Sequence, residues 1–143
     1  MAKKKALFVC EHNAARSQMA EAFLKQYAGE EFEVESAGLE PGKLNPFAVE
    51  AMKEIGIDIS MNKTKSVFDL YKQGKSYDYV VTVCDEAQAE RCPVFPGNAK
   101  NLHWGFNDPS RFTGTHDEIL VETRMVRDEI EKKIKDWVVS IRS

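Results

Sequence analysis

Apolar bursts and helical periodicities alternate along this chain from one end to the other. Residues 6–10, Ala-Leu-Phe-Val-Cys, are an unbroken apolar run between lysines and Glu11, which predicts a buried strand. Met19, Ala22, Phe23 and Tyr27 then fall on one face of a helix over 18–28. A second strand is expected at 32–36, and glycines and prolines over 38–46 mark a loop. Pro46 opens a helix whose candidate core residues are Phe47, Val49, Met52 and Ile55, with Gly56 as its stop. A weaker helix follows at 66–73, and the run Asp-Tyr-Val-Val-Thr-Val-Cys at 78–84 is the clearest strand of all. Residues 102–106 predict a fourth. Thr115 and Glu118 have the spacing of a capping box, ahead of Val126, Ile130, Ile134, Trp137, Val138 and Ile141 at helical spacing. That predicts a long amphipathic C-terminal helix.

Strands alternating with helices make this an α/β pattern. Parallel strands joined by helices need right-handed crossovers, and ligands in such open sheets bind at the carboxyl ends of the strands. Cys10 and Cys84 both occupy such ends.

Composition narrows the function classes. A length of 143 residues fits one domain spanning 1–143. A net charge of −3 argues against a general nucleic-acid binder, which concentrates positive charge against phosphates. No apolar run approaches the roughly 20 residues that span a bilayer, so no membrane partner is expected. The start, Met-Ala-Lys-Lys-Lys-Ala-Leu-Phe-Val-Cys, mimics an export signal, but its five-residue apolar stretch stops at Glu11. An export signal needs about 7–15 apolar residues. A cytoplasmic location is therefore expected, and three cysteines there suit reactive or buried thiols better than a disulfide framework.

The stretch Cys10-Glu-His-Asn-Ala-Ala-Arg-Ser17 carries the chemistry. A strand end, a short loop and a helix start allow the backbone N–H groups of Glu11, His12, Asn13, Ala14, Ala15, Arg16 and Ser17 to converge on one anion. Arg16 adds a planar, doubly donating cation, and the set suits a tetrahedral oxyanion such as phosphate, sulfate or arsenate. The same field, with the Ser17 hydroxyl, favours the thiolate of Cys10, which then reads as a nucleophile. Asn13 suits a turn with left-handed backbone angles. Two nucleotide-loop decoys fail: Gly38-Leu-Glu-Pro-Gly-Lys43 has the wrong spacing, and Gly74-Lys-Ser76 has Asp69 where the first glycine should stand.

Cys-x5-Arg-Ser at 10–17 resembles the phosphate loop of the low-molecular-weight protein tyrosine phosphatase superfamily, and the resemblance extends over nearly the whole chain. It implies a three-layer α/β sandwich around a central four-stranded parallel sheet. The superfamily divides into phosphatases and thioredoxin-coupled arsenate reductases. Two stretches resemble the reductase branch: Val80-Val-Thr-Val-Cys-Asp-Glu-Ala-Gln-Ala-Glu-Arg-Cys-Pro93 and His103-Trp-Gly-Phe-Asn-Asp-Pro109. The resemblance implies that Cys84 and Cys92 are the second and third redox cysteines, that Asp108 is the general acid, and that thioredoxin is the electron donor. It implies no organic cofactor. Some relatives bind potassium beside the loop at positions matched by Asn13, Glu21 and Ser36, but Lys65-Ser66 stands where they use an acidic residue. No tight potassium site is expected.

Two function classes follow: reduction of arsenate to arsenite, in arsenic detoxification, and hydrolysis of phosphotyrosine by Cys10, Arg16 and Asp108. They share the first attack. Hydrolysis needs only water afterwards. Reduction needs two electrons, supplied when Cys84 attacks Cys10 and arsenite leaves, so Cys84 separates the classes. Ser110, where the phosphatase branch has an aromatic residue, also favours reductase with weak residual phosphatase activity. Asp108, in a closed apolar pocket, is expected to keep its proton near neutral pH. Trp104 and Phe106 either dry that pocket or belong to the core. His12, His103 and His116 read as loop or edge residues, and Cys84, Cys92 and a histidine lack the paired spacing of a zinc site. The segment Asp85–Arg91 is expected to move on oxidation, carrying the disulfide outward. A monomer is expected.

Overall fold

The computed structural model describes residues 3–84 and 89–142. Strand β1 (Lys4–Cys10) leads through helix α1 (Arg16–Ala28) to β2 (Phe32–Gly38), followed by α2 (Pro46–Lys53) and α3 (Val67–Lys72). Strands β3 (Tyr79–Thr82) and β4 (Lys100–His103), a 3₁₀ turn (Pro109–Arg111) and helix α4 (His116–Arg142) complete the order. The four strands form one sheet, β2-β1-β3-β4, and every pairing is parallel.

Position in the sheet explains the composition of each strand. Central β1 is covered on both faces, and Ala6, Leu7, Phe8 and Val9 are fully buried. Edge strand β4 is largely exposed and correspondingly polar. On one face, Ala6, Phe8, Val81 and Val83 pack with Met19, Phe23 and Leu24 of α1 and Val126, Ile130, Ile134 and Val138 of α4. On the other, Leu7, Val9 and Val80 meet Val67 and Leu70 of α3, together with Tyr77 and Phe95. The result is three layers, helices on both sides of a parallel sheet. Among the described residues, no helix is long and apolar enough to cross a membrane.

The capping box at the start of α4 forms as the spacing predicts: Glu118 N donates to Thr115 Oγ1 at 3.2 Å, and Thr115 N to Glu118 Oε1 at 3.4 Å. Helix α2 differs from expectation. Of the expected core residues Met52 is fully buried, but Phe47 and Val49 are only half-buried and Ile55 is exposed, while Ala48 and Ala51 are fully buried instead. This helix lies against α4, and Arg127 Nη1 reaches the Ala51 carbonyl at 2.8 Å. So close an approach favours small side chains at the contact. Helix α2 also stops at Lys53, with Gly56 closing the turn beyond it at φ 83°. Trp104 belongs to the core, its ring 5.4 Å from that of Trp137 and 6.1 Å from that of Phe8.

Candidate active site

Strand β1 ends at Cys10 and α1 begins at Arg16, so the intervening loop sits at the carboxyl end of the sheet. Its peptide groups are oriented by the segment after β2. Leu39, Glu40, Gly42 and Asn45 donate backbone N–H groups to the carbonyls of Cys10, Glu11, His12 and Ala14 at 2.8–3.1 Å. With those carbonyls tied outward, the loop's own N–H groups are left for the interior. Asn13 takes φ 55°, the left-handed turn its residue type suggests. Gly38 makes the close approach possible: a Cβ there would lie 2.7 Å from Asn13 N and from His12 C.

At the centre, Cys10 Sγ accepts from Asn13 N at 3.2 Å and lies 2.9 Å from Ser17 Oγ. Asn13 Nδ2 donates to Ser17 Oγ at 2.7 Å, so the single hydroxyl proton of Ser17 is left to donate to the sulfur. The orientation of Asn13 is itself fixed, because its Oδ1 accepts from Lys65 N at 3.0 Å and Gln18 Nε2 at 3.2 Å. Asn62 Nδ2 in turn donates to Gln18 Oε1 at 3.0 Å. Two donors thus converge on a sulfur that is only 2 % exposed. Ala15, at the N-cap of α1, offers no side-chain hydrogen bond, leaving the first N–H groups of the helix for an anion.

Arg16 is buried and held by two contacts: Nη1 donates to the Phe106 carbonyl at 3.2 Å, and Nη2 is 3.4 Å from Asp108 Oδ2. Cys10, His12, Ala14, Ala15, Arg16, Asn45, Asp108 and Ser110 line one small cleft. Phe106 therefore serves through its carbonyl.

Asp108 corrects one expectation. Burial does raise its pKa, but hydrogen bonds from Ser110 N and Oγ and the charges of Arg16 and Arg111 outweigh that effect. The net direction is below the ordinary carboxylate value. The sequence pattern supplies the pocket but not the cation across it. In the free protein Asp108 is ionised, and it must gain a proton before it can give one.

Cys84 is 1 % exposed and packs in the same core cluster as Cys10, just beyond β3 on the neighbouring strand. Val83 N donates to Val9 O at 2.8 Å, which brings the ends of the two strands side by side. Cys92 is half-buried against the cluster on the opposite face, and burial, followed by the charge of Cys84, pushes its pKa up to about 12. All three cysteines are thiols. Of the segment expected to move, residues 85–88 lie outside the described residues; Arg91 beyond them pairs with Glu40 at 3.2 Å.

Residues 5–143 match the family described as low molecular weight phosphotyrosine protein phosphatase. The chain belongs to this family. An arsenate reductase of Halalkalibacterium halodurans is 50 % identical over 137 residues, covering 96 % of each chain. The solved structure of an arsenate reductase in a phosphate-binding state is similar at 29 % identity and TM-score 0.77, covering 96 % of this chain and 98 % of that one. A thioredoxin-dependent arsenate reductase of Corynebacterium glutamicum is similar at 33 % identity and TM-score 0.62, covering 93 % of this chain and 62 % of that one.

The side-chain oxygens at the positions considered for potassium, Asn13, Glu21 and Ser36, are engaged within the protein. The Glu21 carboxylate accepts from Ser36 Oγ and Lys25 Nζ, and Asn13 Oδ1 accepts from Lys65 N and Gln18 Nε2. With Lys25 and Lys65 supplying protein donors, these residues do not fit a cation. Among the described residues, no group of three or more His, Cys, Asp or Glu side chains could hold a metal. Sequence reasoning missed Gly38, Gln18 and Asn62 as supports of the family loop. Only Gly38, the first residue of the loop expected after the second strand, carried a readable signal.

Proposed function

We propose that this protein reduces arsenate to arsenite by a relay of three cysteines. The observation that carries the proposal is Cys84, a buried thiol at the end of the strand beside the Cys10 nucleophile and in the same packed cluster. A phosphatase of this family needs no such group. The chain's 50 % identity to an arsenate reductase favours the same reading.

Arsenate enters the loop against the N–H groups of residues 11–17 and Arg16. Its negative charge draws Arg16 and raises the proton affinity of Asp108, which becomes the general acid. Cys10 attacks arsenic and water leaves with the Asp108 proton. Cys84 then attacks Cys10 Sγ: the As–S pair returns to arsenic, arsenite departs, and a Cys10–Cys84 disulfide forms. Two thiols have lost two electrons, and As(V) has become As(III). Cys92 next attacks Cys84, freeing Cys10 and moving the disulfide to Cys84–Cys92, where a thioredoxin-type dithiol resets it. The protein works as a single domain and a monomer, in the cytoplasm, as part of arsenic detoxification.

The test compares arsenite formed per enzyme without added reductant with phosphate released from an aryl phosphate. One arsenite per enzyme with slow hydrolysis supports reduction. No arsenite with efficient hydrolysis assigns the protein to the phosphatase reading.

A further inference from the structure

Beside edge strand β4, a cavity of about 360 Å³ is lined by Val80, Thr82, Glu90, Cys92, Leu102 and His103, among others. It brings the terminal thiol of the proposed relay and a histidine to one space. His103 ends β4, and its Nδ1 lies 2.9 Å from Thr82 Oγ1, while the same hydroxyl lies 3.3 Å from the Leu102 carbonyl. A carbonyl only accepts, and threonine has one hydroxyl proton. Both bonds therefore form together only when Thr82 donates to Leu102 and His103 Nδ1 donates to Thr82. The neutral ring then carries its lone pair on Nε2.

Cys92 needs such a partner. Burial and the neighbouring Cys84 hold its pKa up to about 12, so near pH 7 it is a thiol, and a thiol does not attack a disulfide. Among the described residues, the other ionisable group lining the cavity is Glu90, and carboxylates are in general much weaker bases than imidazole. Strand β3, packed beside β4, presents Val80 and Thr82 there, neither of them charged.

We propose that His103 is the proton acceptor that converts Cys92 to a thiolate for the second disulfide exchange. The inference rests on the relay under Proposed function. The Cys92 proton passes to His103 Nε2, directly or through water in the cavity. The sulfur pair forms the bond to Cys84, and the Cys10–Cys84 bond breaks with its electrons leaving on Cys10. Asn13 N–H and the Ser17 hydroxyl receive that thiolate. Cys92 is oxidised and Cys10 reduced, so the exchange balances without a further reagent. His103 is exposed and returns its proton to solvent.

The experiment gives the reduced full-length protein one equivalent of arsenate, quenches with an alkylating agent over time, and maps disulfides by mass spectrometry. In His103→Ala, conversion of Cys10–Cys84 to Cys84–Cys92 near pH 7 should fall relative to first arsenite release by roughly 10²-fold. The pH dependence that the histidine confers on the wild-type conversion should vanish in the variant, and added imidazole should restore rate. Glu90→Gln should leave conversion unchanged. Conversion in His103→Ala at the wild-type rate overturns the inference. So does a loss that is equal at every pH and not relieved by imidazole, which marks a structural role. If the wild type itself forms no Cys84–Cys92 disulfide, the relay falls and this inference with it; where the wild-type relay runs normally, the variant tests His103 alone.

Discussion

Arg16 Nη2 lies 3.4 Å from Asp108 Oδ2, so in the free protein the cation that would hold an oxyanion holds the group that would protonate it. The two roles exchange on binding. An incoming dianion competes for Arg16 and, by repulsion, raises the proton affinity of Asp108. Because Asp108 starts below its ordinary pKa, anion binding should be coupled to proton uptake. By linkage, affinity should then fall as pH rises.

Sulfate is a suitable probe because it remains a dianion through the neutral range. In a Cys10→Ser background, where no thiol titrates at the site, calorimetry in buffers of different ionisation enthalpy should show uptake approaching one proton. The double variant with Asp108→Asn should show none and bind sulfate at least as well. In the otherwise native protein, Asp108→Asn should slow first arsenite release by ~10²–10⁴-fold. Unchanged single-turnover kinetics would remove Asp108 from the mechanism.

Cys84→Ser should separate the shared step from the reductive one. Hydrolysis of an aryl phosphate uses Cys10, Arg16 and Asp108 alone, so weak hydrolysis should persist while arsenite formation is lost. The serine stays buried where Cys84 packs, so circular dichroism and melting should accompany the assay. Equal loss of both activities in a folded variant would make Cys84 structural.

Much of this site was legible because its chemistry is local. Cys10 to Ser17 is contiguous, and strand, loop and helix N-terminus follow from adjacent residues. The capping box at Thr115 and Glu118 was readable for the same reason. What escaped depends on residues far apart in sequence. The charge state of Asp108 is set in part by Arg16, 92 positions earlier (108 − 16), and the orientation of Asn13 by Lys65. The buried face of α2 is not legible because apolarity alone points to Phe47 and Ile55. Met52 is buried as expected, but the close contact with α4 selects Ala48 and Ala51 in place of those two.

His116 offers a stability signal independent of the active site. Its Nε2 lies 2.8 Å from Glu50 Oε2 and its Nδ1 3.2 Å from Asp117 Oδ1, joining α2 to the first turn of α4. The hydrogen bond with Asp117, then the bond with and charge of Glu50, raise the histidine's pKa. A raised folded value means the contribution is full below the unfolded value of ~6.5 and is lost as pH rises through the folded one. Melting temperature should therefore show a decline from this group above about pH 6.5. His116→Gln should flatten it. An unchanged pH profile in that variant would show that the pair contributes nothing measurable in solution, a frequent result for exposed ion pairs.

Gly38 tests whether the loop's shape, rather than its residues alone, makes the site. Its backbone does not require glycine by conformation, since its φ is not positive. It sits at the end of β2, opposite Cys10 in the parallel register. The demand is for space: a Cβ would fall 2.7 Å from Asn13 N and His12 C and 3.0 Å from Glu11 O, all backbone atoms that cannot rotate away. Gly38→Ala must therefore push the loop from the strand. Overpacking of this kind costs about 1–3 kcal/mol, which a domain of this size can survive. The displacement matters more than the energy, because Asn13 N is itself a donor to Cys10 Sγ. We expect a folded protein with a modestly lowered melting temperature, loss of the stabilisation that phosphate or sulfate gives the native protein, and Cys10 alkylation slowed toward that of an ordinary buried thiol. If Gly38→Ala bound phosphate normally and alkylated at the native rate, the loop would be tolerant of such shifts, and close positioning of its N–H groups would not be what prepares Cys10 for attack.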